Sequence, residues 1–439
     1  MQPDRRHLLR SAALGAGAYA ASCSSARARA SAPDRATAPA VERASRLDEL
    51  FAALTDQRAS VAPISVEERR ARRARCAAEL QRLRLDAFLC EGGATMRWLA
   101  DVSWGHSERL FALCVLADGT TFWLCPAFEA SRAREKIDAG CGPGETIIAW
   151  DEHEYAFRPL AAALEHRRAR LVSVEPAMRH GFVARLAAEL GPERISPLSG
   201  ERVVFGLRAR KDAHELAILR RASELTQSAL VAVAATLEPG LDGSEVGARI
   251  DHAHRRLGMQ GPWNLSLVGP AAALPHGEAD RRALAKGELL LVDCGASLHG
   301  YQSDTTRTWT VGGPPSEEIA KVWRVVRDAQ QRSFDFLRPG LACRELDAIA
   351  RTAIGAAGYG EGYQAFTHRL GHGIGMEGHE APYFDGGSEV ELAPGMTLSN
   401  EPGIYLPGRF GVRLEDIVVV TETGADHFGG WQQGPTSPA

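Results

Sequence analysis

Four acids and a cluster of histidines in the C-terminal half of this 439-residue chain stand where packing alone gives them no reason to be. Leu289-Leu290-Leu291-Val292-Asp293 is an apolar run that ends in a carboxylate, and buried strands rarely take an acid for packing. Gly300-Tyr301-Gln302-Ser303-Asp304 begins the next strand. A hairpin would set Asp293 and Asp304 side by side, and like charges that close call for a cation. Taken singly, an Asp at a strand end is more often a turn residue than a ligand. Further on, His368-Arg369-Leu370-Gly371-His372-Gly373-Ile374-Gly375, followed by Glu377, His379 and Glu380, gathers three histidines among glycines that let backbone approach a ligand. Glu401 precedes the turn at Pro402-Gly403, and Glu415 follows Gly411-Val412-Arg413-Leu414 ahead of the apolar run Ile417 to Val420. Two Asp, two Glu and a His form a hard, oxygen-rich set. It suits two divalent metal ions, Mn first, with Co or Zn as alternatives.

Such residues need elements to carry them. Lys211 to Thr236 has a long helical pattern that stops at Pro239-Gly240, and a second helix, Ser244 to Leu257, stops at Gly258. One hundred residues later the arrangement recurs. Leu237, Pro239, Gly240, Leu241, Glu245, Ala248, Ala253 and Gly258 match Leu337, Pro339, Gly340, Leu341, Glu345, Ala348, Ala353 and Gly358, eight identities in 22 positions without a gap. The second copy has its own leading helix, Glu317 to Leu337. A duplicated helical unit, each copy followed by strands, implies two similar halves with a site between them that draws on both.

Upstream, residues 65–203 read as a separate α/β layer. A basic amphipathic helix over Glu67 to Leu83 leads to a strand at Asp86 to Cys90 and a helix around Thr95 to Ala100. Strands at Phe111 to Leu116 and Thr121 to Cys125 flank the turn Asp118-Gly119. No catalytic cluster appears there. Residues 31–64, rich in Ala, Arg, Ser and Pro, read as a linker. Residues 1–30 read as a twin-arginine export signal: Arg5-Arg6, a mild apolar run from Ser11 to Ser22, then small residues around Ala26-Arg27-Ala28. The destination expected is the periplasm or envelope, and Cys23 is a possible lipid-anchor site. A net charge of −4 without a basic block argues against nucleic acid as a partner. Eight scattered cysteines give neither a disulfide framework nor zinc spacing, and Cys90, Cys114 and Cys294 read as core residues.

On these residues, the region from about Val204 to Phe428 resembles the catalytic domain of the pita-bread metallopeptidases. That is the family of Xaa-Pro dipeptidase (prolidase), aminopeptidase P and methionine aminopeptidase. The resemblance implies an α/β (α+β) architecture, with a creatinase-like N-terminal domain at 65–203 and a pseudo-two-fold catalytic domain at 204–432. It implies that Asp293 is the bidentate first ligand, Asp304 a bridge, His372 the one His ligand, and Glu401 and Glu415 the two Glu ligands, the second of them bridging. His276, in Leu274-Pro275-His276-Gly277, and His379 match histidines that assist the reaction. His368 resembles the one that lines the proline pocket, and Arg413 an Arg that supports the metal carboxylates. Glu401 would take a proton from a water shared by the two ions. Homodimers are usual in this family.

The implied activity is hydrolysis of the bond before proline. A free dipeptide is the expected substrate, and the fourteen-residue spacing from Glu401 to Glu415 resembles bacterial dipeptidases. Aminopeptidase P action on longer Xaa-Pro peptides, or a non-peptide amidohydrolase on the same fold, are the alternatives. One departure bears on this choice. Some microbial prolidases carry an Arg four positions after the histidine matched by His379, and Tyr383 stands there instead. Arg369, or Arg109 of a neighbouring subunit, could hold the substrate carboxylate in its place.

Overall fold

A computed structural model of the chain describes residues 40–196, 200–277 and 282–439. The export segment and Cys23 lie outside the described residues. The chain divides into Met1–Arg46 and a larger unit, Leu47–Ala439. The described part of the first is the beginning of helix α1 (Ala40–Leu50).

The larger unit opens differently from the linker expected over 31–64. Phe51 and Ile64 are buried, and the Gln57 N–H donates to the Leu257 carbonyl. His299 Nε2 donates to the carbonyls of Arg58 and Val61, both at 3.0 Å. A few apolar side chains, each worth ~1.5–3 kcal/mol when buried, pin a segment whose composition is otherwise that of a linker.

Helix α2 (Val66–Leu83) starts at a capping box formed by Ser65 and Glu68. Its face is less solvated than a basic helix suggests, because Arg69, Arg72 and Arg73 are buried. Arg72 donates to the Trp98 carbonyl and the Tyr301 hydroxyl. β1 (Ala87–Glu91), α3 (Ala94–Ala100), β2 (Ala112–Leu116), β3 (Thr121–Pro126), α4 (Ala130–Cys141), β4 (Thr146–Trp150), α5 (Phe157–His166), β5 (Val172–Val174) and α6 (His180–Leu190) follow. The strands form one sheet in the order β4-β3-β2-β1-β5. The central pairs are antiparallel and both outer strands join parallel. The β2–β3 turn is the one expected, with Gly119 at φ +88° and the Asp118 carboxylate accepting from the Thr120 N–H and hydroxyl.

After α7 (Gly200–Arg208) come α8 (Ala213–Ala234), α9 (Gly243–Arg256), β6 (Gln260–Val268), β7 (Glu288–Leu298), β8 (Tyr301–Gln302) and β9 (Thr305–Val311). The second copy supplies α10 (Glu317–Phe336), α11 (Cys343–Ala356), β10 (Gly371–Gly373), β11 (Glu380–Phe384), β12 (Thr397–Asn400), β13 (Gly403–Leu406), β14 (Phe410–Arg413), β15 (Asp416–Val420) and β16 (Ala425–His427).

The repeat persists down to single hydrogen bonds. Gly240 N–H donates to Leu284 O at 2.8 Å, and Gly340 N–H to Leu392 O at 2.9 Å. Leu284 N–H returns to Leu241 O, and Leu392 N–H to Leu341 O. Both glycines have positive φ, +100° and +81°, which accounts for glycine at each position. Strands β6, β8 and β9 pair with β7, and the other half forms the sheet β11-β10-β12-β15-β16. The halves meet along β9, where Glu415 N–H donates to Thr306 O and the Thr308 hydroxyl to Arg413 O. β7 is buried along Leu289, Leu290, Leu291 and Val292, which explains its unbroken apolar run. The strand continues through Leu298, so Asp293 sits in its middle and not at its end.

Candidate metal centre

In the antiparallel ladder Asp293 of β7 faces Thr306 of β9, and Asp304 stands immediately before β9. His372 is the middle residue of β10, Glu401 follows β12, and Glu415 precedes β15. The first two residues come from one half and the other three from its counterpart. Their ligating atoms converge: those of Asp293, Asp304 and Glu415 lie within 4.8 Å of one another, as do those of His372, Glu401 and Glu415, and those of Asp304, His372 and His379. Asp304 and Glu415 each belong both to the group with Asp293 and to a group with His372. All five residues named as metal ligands therefore meet. His379, given a catalytic role in the sequence, also reaches the cluster, its ring stacked on His372 at 3.7 Å between centroids.

The glycines around His372 permit this approach. A Cβ on Gly371 would stand 2.0 Å from the Ser399 carbonyl oxygen, and one on Gly373 would stand 2.4 Å from that of Glu380. His372 Nδ1–H donates to the Gly373 carbonyl, leaving Nε2 to face Glu401 at 3.4 Å and Asp304 at 3.7 Å. Burial, reinforced by the charges of His379 and Arg369, holds its pKa down to about 3, so the imidazole is neutral, the ligating form. Ser399 aligns two of the group: its hydroxyl accepts from His372 N–H and donates to Glu401 Oε1.

The carboxylates show what the site lacks in protein partners. Burial pushes Asp304 and Glu415 well above the usual range, and neighbouring carboxylates add to the rise. Glu401 is pushed up to about 7, again by burial first, against the pull of Arg413. Asp293 Oδ1 and Asp304 Oδ1 are buried with no hydrogen-bond partner among the described residues. Such groups are costly to bury, and divalent cations offset that cost directly. The donor set fits metal.

Arg413 braces the cluster. Nη2 donates to Asp293 Oδ2 at 2.8 Å, and Nε donates to the Thr306 hydroxyl, which in turn donates to Glu415 Oε2 at 2.7 Å. Nη1 donates to the Pro275 carbonyl, beside His276, and to Tyr405 Oη. The Tyr405 hydroxyl donates to His368 Nε2 at 2.7 Å, and His368 Nδ1–H donates to the Arg369 carbonyl at 2.8 Å. Burial and the Arg413 charge lower the His368 pKa to about 3, which keeps Nε2 free to accept. His276 is exposed, near enough to His368 and His379 for its charge to act on both. Arg369 lies over the ring of Tyr383, 4.2 Å from its centroid. Arg109 is paired instead with Glu152 and Glu108.

Sequence reading assigned no role to Thr306, Ser399 or Tyr405. Thr306 and Ser399 flank ligands, yet nothing in a lone hydroxyl marks it as a brace. Tyr405 was visible beside the Pro402-Gly403 turn, and only the fold brings it under Arg413. Among the described residues all seven cysteines are free and buried, as expected for Cys90, Cys114 and Cys294.

Residues 217–422 match metallopeptidase family M24, and residues 72–209 match the creatinase/prolidase N-terminal domain. The chain is 33% identical over 315 residues to the Xaa-Pro dipeptidase of Pyrococcus horikoshii, covering 71% of this chain and 84% of that protein. The crystal structure of dipeptidase PepE from Mycobacterium ulcerans aligns with TM-score 0.79 and 32% identity over 85% of this chain and 99% of that one. The X-Pro aminopeptidase of Thermotoga maritima aligns at 0.69 with 25% identity, over 81% and 98%. The fold is thus a creatinase-type α/β domain followed by a pita-bread catalytic domain, and the chain belongs to metallopeptidase family M24.

Proposed function

We propose that this hydrolase cuts the bond between a residue and a following proline in dipeptides, with two Mn²⁺ ions held by Asp293, Asp304, His372, Glu401 and Glu415. The observation that supports the reading is the overlap of the candidate donor groups through Asp304 and Glu415, as expected where neighbouring ions share ligands. The relatives named Xaa-Pro dipeptidase supply the substrate class. When bound, the ions supply Lewis-acid polarisation of the scissile carbonyl and a water acidic enough to ionise near neutral pH.

The chain's own residues do the rest. Glu401, aligned by Ser399, accepts the proton of the attacking water. His276 and His379, both solvent-accessible at the edge of the cluster, donate to the oxygen that gains negative charge. The proton taken by Glu401 then returns by way of His379 to the proline nitrogen, which carries no hydrogen in the peptide and cannot leave as an anion. Arg413 keeps Asp293 and the His276 loop in register from one guanidinium. His368, held at both ring nitrogens and packed edge-on against Phe366, forms a rigid wall for the proline ring.

The test is turnover of Ala-Pro beside Ala-Pro-Ala, with Mn²⁺ added and with chelator. Cleavage of Ala-Pro alone, abolished by chelator, is expected. Cleavage of the tripeptide in preference makes the protein an aminopeptidase, and metal-loaded protein inert to both returns the choice to a non-peptide amide. Twin-arginine export through Arg5-Arg6 and a homodimer complete the proposal. Recovery in the cytoplasmic fraction, or a monomer by light scattering, would count against each in turn.

A further inference from the structure

The loop that brings His368 and Arg369 to the site is pinned more firmly than a connection between α11 and β10 requires. Arg351 of α11, buried, donates to the carbonyls of Gly362 at 3.2 Å, Phe366 at 2.6 Å and His368 at 2.6 Å. Its guanidinium also packs on the rings of Tyr363 and Phe366, at 3.5 and 4.4 Å from the centroids. Asp347, one turn earlier on α11, pairs with it through two hydrogen bonds of 2.7 and 2.9 Å. Asp347 Oδ1 accepts the Leu370 N–H as well. One buried ion pair therefore fixes the backbone on both sides of Arg369.

The Arg369 side chain is left otherwise. Its guanidinium rests on the Tyr383 ring, and among the described residues no carboxylate pairs with it. Tyr383 is the register partner of His372 across β10 and β11, which puts this cation on the His372 side of the cluster. Stacking occupies the faces of a guanidinium and leaves its in-plane donors open, the geometry that suits a carboxylate. Arg109 offers no such freedom, since Glu152 and Glu108 already take its donors.

We infer that Arg369 binds the free α-carboxylate of the substrate's C-terminal residue, and that Asp347 and Arg351 are positioning residues that hold it one residue's length from the scissile bond. The assignment rests on the Xaa-Pro hydrolase reading above. In a dipeptide, the bonds from the attacked carbonyl carbon to the carboxylate carbon span at most about 4 Å. A cation fixed at that reach meets a carboxylate in a dipeptide and a neutral amide in anything longer. Tyr383 thereby keeps a function where a cation is absent from the strand: it seats a cation that arrives from the neighbouring loop.

The test compares kcat/KM for Ala-Pro and for its C-terminal amide, with Mn²⁺-loaded wild type, Arg369→Gln, Arg369→Lys, Arg351→Lys and Arg109→Ala. Wild type is expected to prefer the free acid by about 10- to 100-fold, the worth of a charge-assisted pair. Arg369→Gln raises KM for the acid far more than for the amide, so the ratio of the two kcat/KM values falls toward one. Arg369→Lys restores part of it, because a point charge replaces a planar fork. Arg351→Lys raises KM for the acid more than for the amide and so lowers the preference, whereas simple loss of folded protein lowers turnover of both substrates in equal proportion and leaves the preference as it was. An Arg369→Gln enzyme that still prefers the acid, or a wild type without preference, overturns the assignment. So does a preference lost only in Arg109→Ala. Loaded wild type that cleaves neither substrate sinks the hydrolase reading first, and this assignment with it.

Discussion

Glu415 and Asp416 are consecutive and each about 1% exposed, yet their carboxylates enter different regions of the molecule. Asp416 faces a finished network. Arg307 Nη2 donates to it at 2.6 Å, Gln330 at 3.0 Å and Gln227 at 3.2 Å. The rest of the Arg307 guanidinium is spent on the carbonyls of Thr306, Glu415, Gly430 and Pro438. Glu415 faces Asp304, Asp293 and Glu401, and its one side-chain hydrogen bond among the described residues comes from Thr306. Burial raises the pKa of both acids, but cationic Arg307 offsets it at Asp416 while more carboxylates compound it at Glu415. Burial alone therefore does not separate a structural acid from a chemical one. The partner's charge does.

Substitutions at the two regions should break different things. Asp304→Ala or Glu415→Ala removes a donor shared by two groups, and turnover is expected to fall at least about 10³-fold with the fold intact by circular dichroism. Near-normal kcat/KM in either variant defeats the two-metal reading. Asp416→Ala should do the reverse. It leaves Arg307 buried and unpaired, costing about 3–5 kcal/mol in denaturant melts, while activity per folded molecule survives. Equal stability of wild type and Asp416→Ala would show that Arg307 finds other partners.

Metal removal sharpens the same contrast. Mn²⁺ at about 100 times its dissociation constant should stabilise wild type by about 2.7 kcal/mol relative to chelator. Glu415→Gln should lose most of that gain, yet in chelator it should be at least as stable as wild type, since a repelling charge has gone. Asp416→Asn should keep the metal-dependent gain on a lowered baseline. A Glu415→Gln protein that melts well below wild type in chelator would mean that Glu415 is held by protein contacts after all.

The difference between these regions also sets what could be read without coordinates. Asp293, Asp304, His372, Glu401 and Glu415 were legible because each interrupts an apolar or glycine-rich pattern, and the repeat was legible because its glycines and leucines recur for backbone reasons. Asp416 was invisible as a partner of Arg307, since an acid and a base 109 positions apart give no local signal. The same holds for Arg351, whose grip on the His368 loop depends on a helix face meeting a turn. Residues 47–64 misled in the other direction: grouped with the Ala-, Arg-, Ser- and Pro-rich stretch before them, they gave no sign of the anchors, Phe51 and Ile64, that fix them. Local pattern reports what a segment repels or repeats. It does not report which distant charge completes it.

The pair of Glu68 and His214 is a third case, satisfied like Asp416 but partly solvated, and it should give the smallest effect. His214 Nδ1–H donates to Glu68 Oε1 at 2.6 Å and Nε2–H to the Ala62 carbonyl at 2.9 Å, which suits the imidazolium form. The hydrogen bond to Glu68 raises the pKa of His214 above 6.5. Burial works to raise Glu68, but the Ser65 N–H and His214 outweigh it and bring it down to about 2 from 4.5. The His214 contribution is then complete below about pH 6.5 and fades as pH rises through its raised folded value. The Glu68 contribution is complete above about pH 4.5 and fades as pH falls toward 2. Both act together between those limits. With the side chains 27% and 35% exposed, solvent screening limits the pair to about 0.2–1 kcal/mol. His214→Ala should therefore cost at most about 1 kcal/mol at pH 5.5, and less at pH 9 or in 1 M NaCl, by denaturant melts. A cost that stays constant across that pH range would assign the loss to packing, and the paired acid here would owe its place to shape and not to charge.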